Sequence, residues 1–265
     1  MSQSQAAAFQ AGAARTPVRR PAIAVAEPEP RMEVVRSHFV VRLFIALGII
    51  MALTLIIHVG GRSIGHSLTT GGHSASTQMH QVIIGNNLLA IPENTVRFAN
   101  QRRSGTHHRI DLYALYPQMT GYTAETRAWF NDQAPDRRLV FMSIDERQMS
   151  RDMSGRFAPI YSVITEATGE TTPSGLSRHV FKPSSGYSNE ELLVGPVESG
   201  QPRFVVRCLT GNDSAMALSA CERDIHIGDN LSLTYRFPRS MLGEWRALEA
   251  TVRGFATSVT ATPMN

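Results

Sequence analysis

The fold class follows from one stretch, IHIGDNLSLTYRF at residues 225–237. Its second half alternates apolar and polar side chains, and the apolar positions are Leu231, Leu233, Tyr235 and Phe237. A strand with one buried face shows this period of two, because successive side chains point to opposite sides of a sheet. A glycine-containing loop at residues 228–230 separates this strand from a shorter apolar segment before it. The stretch therefore predicts an antiparallel hairpin.

Further segments of strand-like composition precede the hairpin, and one helical pattern follows it. The strand candidates are residues 109–115, 139–144, 176–181, 191–197 and 204–209. After the hairpin, apolar residues recur at spacings of three and four, at Leu242, Trp245, Leu248, Val252, Phe255 and Val259. This spacing predicts an amphipathic helix that covers one side of the sheet, with Ser240 at its N-cap.

Strands in succession with a closing helix indicate an α+β domain with an antiparallel sheet and a C-terminal amphipathic helix. A shorter helix is expected at residues 124–131, where Thr123 fits the N-cap position. The regular alternation of strands and helices that a dinucleotide-binding fold needs is missing, and so is its glycine fingerprint.

An apolar run lies well before this domain. Residues 43–59 read LFIALGIIMALTLIIHV and carry no formal charge when His58 is neutral. With residues 39–42 the run reaches about 20 residues, which is enough to cross a bilayer as a helix. The charged segment before it is too long for a cleaved signal peptide, so we expect a single N-terminal transmembrane helix.

The flanking charges predict the orientation. Six arginines fall within residues 1–42, whereas Arg62 alone follows closely after the run. The positive-inside rule then places the N-terminus in the cytoplasm and the domain in the periplasm, anchored to a bacterial inner membrane. The predicted limits are a disordered cytoplasmic tail at 1–38, a transmembrane helix at 39–60, a flexible linker at 61–81, a periplasmic domain at 82–258 and a C-terminal tail at 259–265.

The charge balance argues against nucleic acid as a partner. Residues 62–265 hold 20 basic and 19 acidic groups, so the domain is nearly neutral. A nucleic-acid-binding surface normally needs clustered positive charge. Within the transmembrane run, Gly48 and Ala52 would let two helices approach closely, so a homodimer stays open beside a different protein partner.

The two cysteines of the chain, Cys208 and Cys221, both fall in the predicted periplasmic part. Disulfides persist in that compartment. The C-x-x-C spacing of redox-active pairs is absent, so we expect a structural disulfide between them.

The sequence offers one candidate contact region for an anionic ligand or a partner. Six basic residues crowd into 13 positions: Arg97, Arg102, Arg103, His107, His108 and Arg109. A basic turn of this kind would bind lipid headgroups, other phosphates or an acidic partner. A solvated hairpin loop is the alternative.

Two other patterns carry no predicted chemistry. Residues 61–65, GRSIG, match the G-x-S-x-G pattern of serine hydrolases, but they follow a membrane helix rather than a strand. His66, His73 and His80 are seven apart, wider than usual ligand pairs, and glycines interrupt the segment. We therefore expect solvated linker histidines, no metal site, no catalytic residues and no cofactor.

Two stretches carry a family resemblance. Residues 91–98, IPENTVRF, continuing to residues 109–112, and residues 235–239, YRFPR, with Trp245, resemble uncharacterised membrane-anchored proteins of alphaproteobacteria. The resemblance covers most of the chain after residue 80. It implies membrane anchoring but no activity, and no site residue follows from it.

These patterns together predict a non-enzymatic, membrane-anchored periplasmic protein that binds a protein partner as an accessory, assembly or scaffolding subunit. Two alternatives stay open. One is an envelope module that binds a lipid headgroup or a cell-wall glycan through the basic turn. The other is an enzyme of unrecognised type, which would need a pocket with convergent titratable groups.

Overall fold

The structure is a computed structural model that describes residues 37–69, 71–131, 138–166 and 169–260. It consists of a long N-terminal helix and an α+β domain, as the sequence predicts. The predicted tail at 1–38 lies almost entirely outside the described residues, and so does most of the C-terminal tail. The predicted domain limits therefore stay predictions.

Helix α1 spans Ser37–Thr69. Within it, the 21 residues of His38–His58 have a mean hydropathy of 2.7, and no residue of this apolar window is buried. This is the one helix among the described residues that is long and apolar enough to cross a membrane. The helix continues to Thr69, past residue 61, where the linker was predicted to begin.

The domain is built on an eight-stranded antiparallel sheet with the order β4-β5-β11-β10-β9-β8-β7-β6. Its strands are β4 (Arg109–Leu115), β5 (Leu139–Glu146), β6 (Glu170–Thr171), β7 (Ser177–Val180), β8 (Glu190–Val194), β9 (Val205–Leu209), β10 (Cys221–Ile227) and β11 (Leu231–Phe237). Every strand segment that the sequence predicts is present, with ends shifted by up to three residues.

A second, smaller sheet has the order β2-β1-β3. Its strands are β1 (Met79–Ile84), β2 (Asn87–Pro92) and β3 (Gly105–Thr106). The buried side chains of β1 and β2 join the main core, and they are Val82, Ile84, Leu89 and Ile91. No sequence pattern predicted this sheet.

The predicted hairpin is confirmed by the register of β10 and β11, in which Ile225 pairs with Leu233 and Ile227 with Leu231. The four apolar residues of β11 are fully buried. They face helix α6 (Trp245–Thr260), which packs on the same core. A 3₁₀ turn at Arg239–Glu244 precedes α6, so Ser240 and Leu242 lie in this turn rather than in the helix.

The shorter helices of the domain are α2 (Arg127–Phe130), α3 (Met153–Arg156), α4 (Ser162–Ile164) and α5 (Gly211–Met216). A π-helical turn at Phe157–Tyr161 joins α3 to α4. Helix α2 covers only part of the helix expected at 124–131, and its N-cap position is Thr126 rather than Thr123. The helical segment at 153–164 was not predicted from the sequence.

The predicted disulfide between Cys208 and Cys221 is formed, and these residues are direct cross-strand neighbours on β9 and β10. The two strands pair at only one further position and then diverge. Arg223 fills the resulting gap, where its Nη1 donates to the carbonyl oxygen of Val205 at 2.7 Å. A buried guanidinium thus replaces part of the missing backbone ladder.

The face of the large sheet that points away from α6 is only partly covered. The segment at 153–164 packs over β8 and β9 through Met153 and Tyr161. On the other side, Tyr122 and Phe130 pack over β4 and β5. Between these two covers, the middle of the face carries polar side chains that remain open, and this opening positions the candidate site.

Candidate functional site

The open part of the sheet face forms a shallow groove of about 300 Å³. Its lining residues are Arg97, Phe98, Arg109, Asp111, Leu112, Phe141, Met142, Ser143, Thr234 and Arg236. The strand register builds it, because Asp111 pairs with Ser143 and Ser143 pairs with Thr234 across β4, β5 and β11. Paired residues point to the same face of a sheet, so these three polar side chains form one row.

Arg97 extends this row at the edge of β4. Val96 forms an isolated antiparallel bridge with Leu112, and the backbone N–H of Arg97 donates to the carbonyl oxygen of Asp111 at 2.9 Å. These contacts act as a short extra strand beside β4. Because Val96 points into the core, Arg97 points to the open face and stands at the rim of the groove.

The guanidinium of Arg97 rests on two aromatic rings. Its Cζ lies 5.0 Å from the ring centre of Phe98 and 4.9 Å from that of Phe141. Such cation–π contacts orient a guanidinium without using its N–H groups. Among the described residues, this side chain forms no hydrogen bond and no ion pair, so its donors are available to a ligand.

The other charged groups of the groove already have partners. Arg109 donates to Asp111 through Nε at 2.9 Å, and Gln101 donates to the second oxygen of the same carboxylate at 3.0 Å. Arg236 pairs with Glu222 at 2.5 Å. Arg97 is therefore the cation of the groove that has no carboxylate partner in the described part of the chain.

The floor of the groove adds two hydroxyl groups, those of Ser143 and Thr234. Neither hydroxyl has a hydrogen-bond partner within the described ranges. Ser143 is buried apart from its opening to the groove. An unsatisfied hydroxyl in a concave site provides a donor and an acceptor to a ligand or to ordered water.

Asp145 lies beside the groove, one row further along β5, where it pairs with Arg109 and Ser232. Burial raises the pKa of its carboxyl, and Asp111 adds to this, whereas Arg109 opposes it. A pair of residues that shares acid and base roles needs two titratable groups in converging positions. The nearest carboxylate, Asp111, is held by Arg109 and Gln101, so this arrangement does not form an acid–base pair.

No family model matches the sequence, and no curated protein matches it either. Two solved structures have a similar backbone arrangement. An immunity protein of the Stenotrophomonas maltophilia type IV secretion system is 14% identical, over 72% of this chain and 96% of its own, with a TM-score of 0.49. The iron-regulated outer membrane lipoprotein FrpD of Neisseria meningitidis is 9% identical, over 72% and 98%, with a TM-score of 0.46. Neither similarity bears on what the groove binds.

The six residues of the predicted basic turn are dispersed by the fold. Arg97 and Arg109 meet at the groove. Arg102 does not line the groove. It donates to the carbonyl oxygens of Val96 and Gly72, and these hydrogen bonds stabilise the backbone. Arg103, His107 and His108 remain on the turn, where His107 contacts the carbonyl oxygen of Arg103 at 3.1 Å. Whether any of the six contacts a ligand or a partner stays a prediction.

Three groove features escaped the sequence analysis: the rings of Phe98 and Phe141, the hydroxyls of Ser143 and Thr234, and the guanidinium of Arg236. Part of the signal was visible, because Thr234 and Arg236 occupy the polar positions of the alternating strand at 231–237. What the sequence does not encode locally is that β11 lies between β5 and β10, which brings these positions opposite Phe141 and Ser143.

Two of the histidines expected to be solvated are not. His80 is buried on β1, where its Nε2 lies 3.1 Å from Oε2 of Glu93. The ring of His73 stacks on Tyr122 with centroids 4.8 Å apart, and it hydrogen-bonds the hydroxyl of Tyr113 at 2.9 Å and Oδ1 of Asn131 at 3.1 Å. Burial lowers the pKa of His73, and Arg97 and Arg102 add to this, whereas the hydrogen bond with Asn131 opposes it. The chain between α1 and β1 is thus attached to the domain at this point.

The structure assigns no chemical role to the remaining sequence motifs. Residues 61–65 lie within helix α1, so Ser63 is not on a turn between a strand and a helix. In the described ranges, no three His, Cys, Asp or Glu residues come together in a way that would hold a metal ion.

A second cleft of about 460 Å³ lies around the buried carboxylate of Glu191. Arg178 and Arg239 both donate to this carboxylate from the cleft wall. The hydrogen bond to Glu191 raises the pKa of Arg178. Because the charged groups here already pair with one another, we interpret this cleft as a structural ion cluster.

Proposed function

We propose that this protein is a membrane-anchored binding protein of the bacterial envelope. Helix α1 holds it in the inner membrane with the N-terminus in the cytoplasm, and the α+β domain receives a protein partner in the periplasm. It would act as an accessory, assembly or scaffolding subunit. The open groove of the large sheet is the surface on which that partner binds.

The observation that carries the proposal is the composition of the groove. It combines accessible aromatic rings, a guanidinium without a carboxylate partner and two free hydroxyls on a rigid sheet. Aromatic residues and arginine are enriched where protein partners bind most strongly, because they bury much surface and keep a polar end. The paired state of Asp111 and Arg109 favours binding over catalysis.

The anchor and the disulfide support the proposed location. An apolar helix of 21 residues preceded by arginines fits an N-in orientation. A disulfide between Cys208 and Cys221 fits an oxidising compartment.

A site-specific cross-link tests the function. A photoreactive amino acid is placed at Thr234, in the groove, in the full chain expressed in its native cell. The control carries it at Val197, which is 79% exposed and lies on a loop that does not line the groove. We expect irradiation of intact membranes to link one partner protein to the Thr234 position only. Equal labelling at both positions, or no linked protein at Thr234, would contradict the proposal.

A further inference from the structure

The groove contains one preformed polar feature that specifies what it binds. We propose that Arg97 is the binding site for a single carboxylate of the partner, presented next to an apolar side chain. This inference rests on the proposed function, because it names the chemistry of the partner that the groove receives. The carboxylate belongs to an acidic side chain of a protein segment lying in the groove.

The Arg97 guanidinium is prepared for this contact by its surroundings. The rings of Phe98 and Phe141 hold it at 5.0 and 4.9 Å, so less side-chain freedom is lost when a ligand binds. Its five N–H donors form a planar fork that matches the two oxygens of a carboxylate. An unanchored surface arginine lacks this preorganisation.

The number of unpaired cations in the groove favours a carboxylate over a phosphate as the group that binds there. The lining holds three guanidiniums, but Arg109 is paired with Asp111 and Arg236 with Glu222. One unpaired cation balances the single charge of a carboxylate. A phosphate monoester carries nearly two charges and is usually bound by several cations together.

The surfaces beside Arg97 explain the apolar neighbour. Phe98 is 44% exposed, and Phe141 lies partly open on the groove wall. An apolar side chain of the partner would cover these rings and exclude water from the ion pair. Removing water strengthens the attraction between the two charges. The hydroxyls of Ser143 and Thr234 are placed to bond the backbone of the same segment.

A pair of small peptides tests the inference without knowledge of the partner. The probes are acetyl-phenylalanyl-glutamyl amide and its glutaminyl counterpart, which differ only in the carboxylate. Binding to the full chain in lipid nanodiscs is measured by saturation-transfer difference NMR, with empty nanodiscs as the blank. We expect the glutamyl peptide to bind about tenfold more tightly, which is the effect of a hydrogen-bonded charge pair.

Two variants make the test specific. Arg97→Gln should abolish the preference for the glutamyl peptide, because it removes the guanidinium. The fold should be preserved, since the Arg97 side chain donates no hydrogen bond within the described part of the domain. Arg103→Gln makes the same charge change on the exposed turn and should leave the preference intact. Equal binding of both peptides to the unaltered protein, or a preference that survives Arg97→Gln, would overturn the inference. A partner cross-linked at Thr234 would in that case still support the proposed function, so the two failures are distinguishable.

Discussion

Replacing Glu249 should lower the free energy of unfolding of the domain far more than replacing any exposed carboxylate. Glu249, on α6, accepts two hydrogen bonds from Arg223, at 2.9 and 3.0 Å, and one from Arg253 at 2.8 Å. The hydroxyl of Tyr235 donates to it as well. Arg223 is 0% exposed, so removing the carboxylate leaves a buried charge without its counterion.

The size of the effect follows from that burial. Breaking a buried ion pair by deleting one partner costs about 3–5 kcal/mol. Burial would raise the pKa of Glu249, but Arg223 and the hydrogen bonds outweigh it, so the folded-state pKa lies below its ordinary value. This contribution is therefore present above the unfolded-state pKa and is lost as the pH falls through the folded-state pKa.

The assay is urea unfolding of the full chain in detergent micelles, followed by the fluorescence of Trp129 and Trp245. Glu249→Ala should lower the free energy of unfolding by about 3–5 kcal/mol. The control Glu244→Ala removes a half-exposed pair with Arg138 and should cost less than about 1 kcal/mol. The double variant Arg223→Met with Glu249→Leu should have a free energy of unfolding much closer to that of the unaltered protein, because it removes both charges. Equal effects of Glu249→Ala and Glu244→Ala would refute the reasoning.

Three further predictions concern other parts of the domain. Cys208→Ser with Cys221→Ser should lower the free energy of unfolding by about 3 kcal/mol, since the bond joins two cysteines that are 13 positions apart. An unchanged free energy of unfolding in chemical denaturation would contradict this. Docking of residues 71–78 should weaken as the pH falls below about 6.5, because the pKa of His73 is lowered when this segment is docked. The amides of residues 71–78 should therefore exchange faster at pH 5 than at pH 7.5, after correction for intrinsic rates. This difference should disappear in His73→Phe. Gly121→Ala should lower the melting temperature, because its Cβ would lie 2.5 Å from the carbonyl oxygen of Asn94; an unchanged melting temperature contradicts this contact.

The elements that the sequence predicts well are those with one apolar and one polar face. The strand at 231–237 and helix α6 show this contrast clearly, so the period of each can be recognised in the sequence without knowledge of the fold. The disulfide was predictable because the chain holds two cysteines near the ends of neighbouring strands. In each case a local pattern and the tertiary structure agree.

The small sheet was missed for a physical reason. In β1, the inward residues Val82 and Ile84 are buried, but the outward residues Met79 and Ile83 are apolar too. Both faces then look alike in the sequence, and the period of two is hidden. The same holds for β2, where Leu88 and Pro92 face outward.

The candidate site was predicted in part. Arg97 and Arg109 were singled out as basic residues of one turn, but their separation from Arg102 depends on the bridge between Val96 and Leu112. The groove itself depends on β11 lying between β5 and β10, a non-sequential order that local pattern does not reveal. His73 was expected to be solvated for the same reason, because Tyr113 and Tyr122 are distant in sequence.

We propose that a protein partner binds in the groove rather than on the exposed turn. Quantitative affinity purification of the full chain from native membranes in mild detergent tests this, by comparing Arg97→Glu with Arg103→Glu. Both variants reverse one charge within the same basic segment. We predict that a stoichiometric partner is recovered with the unaltered protein and with Arg103→Glu, and is lost with Arg97→Glu. Loss with Arg103→Glu and retention with Arg97→Glu would contradict the claim and assign binding to the turn.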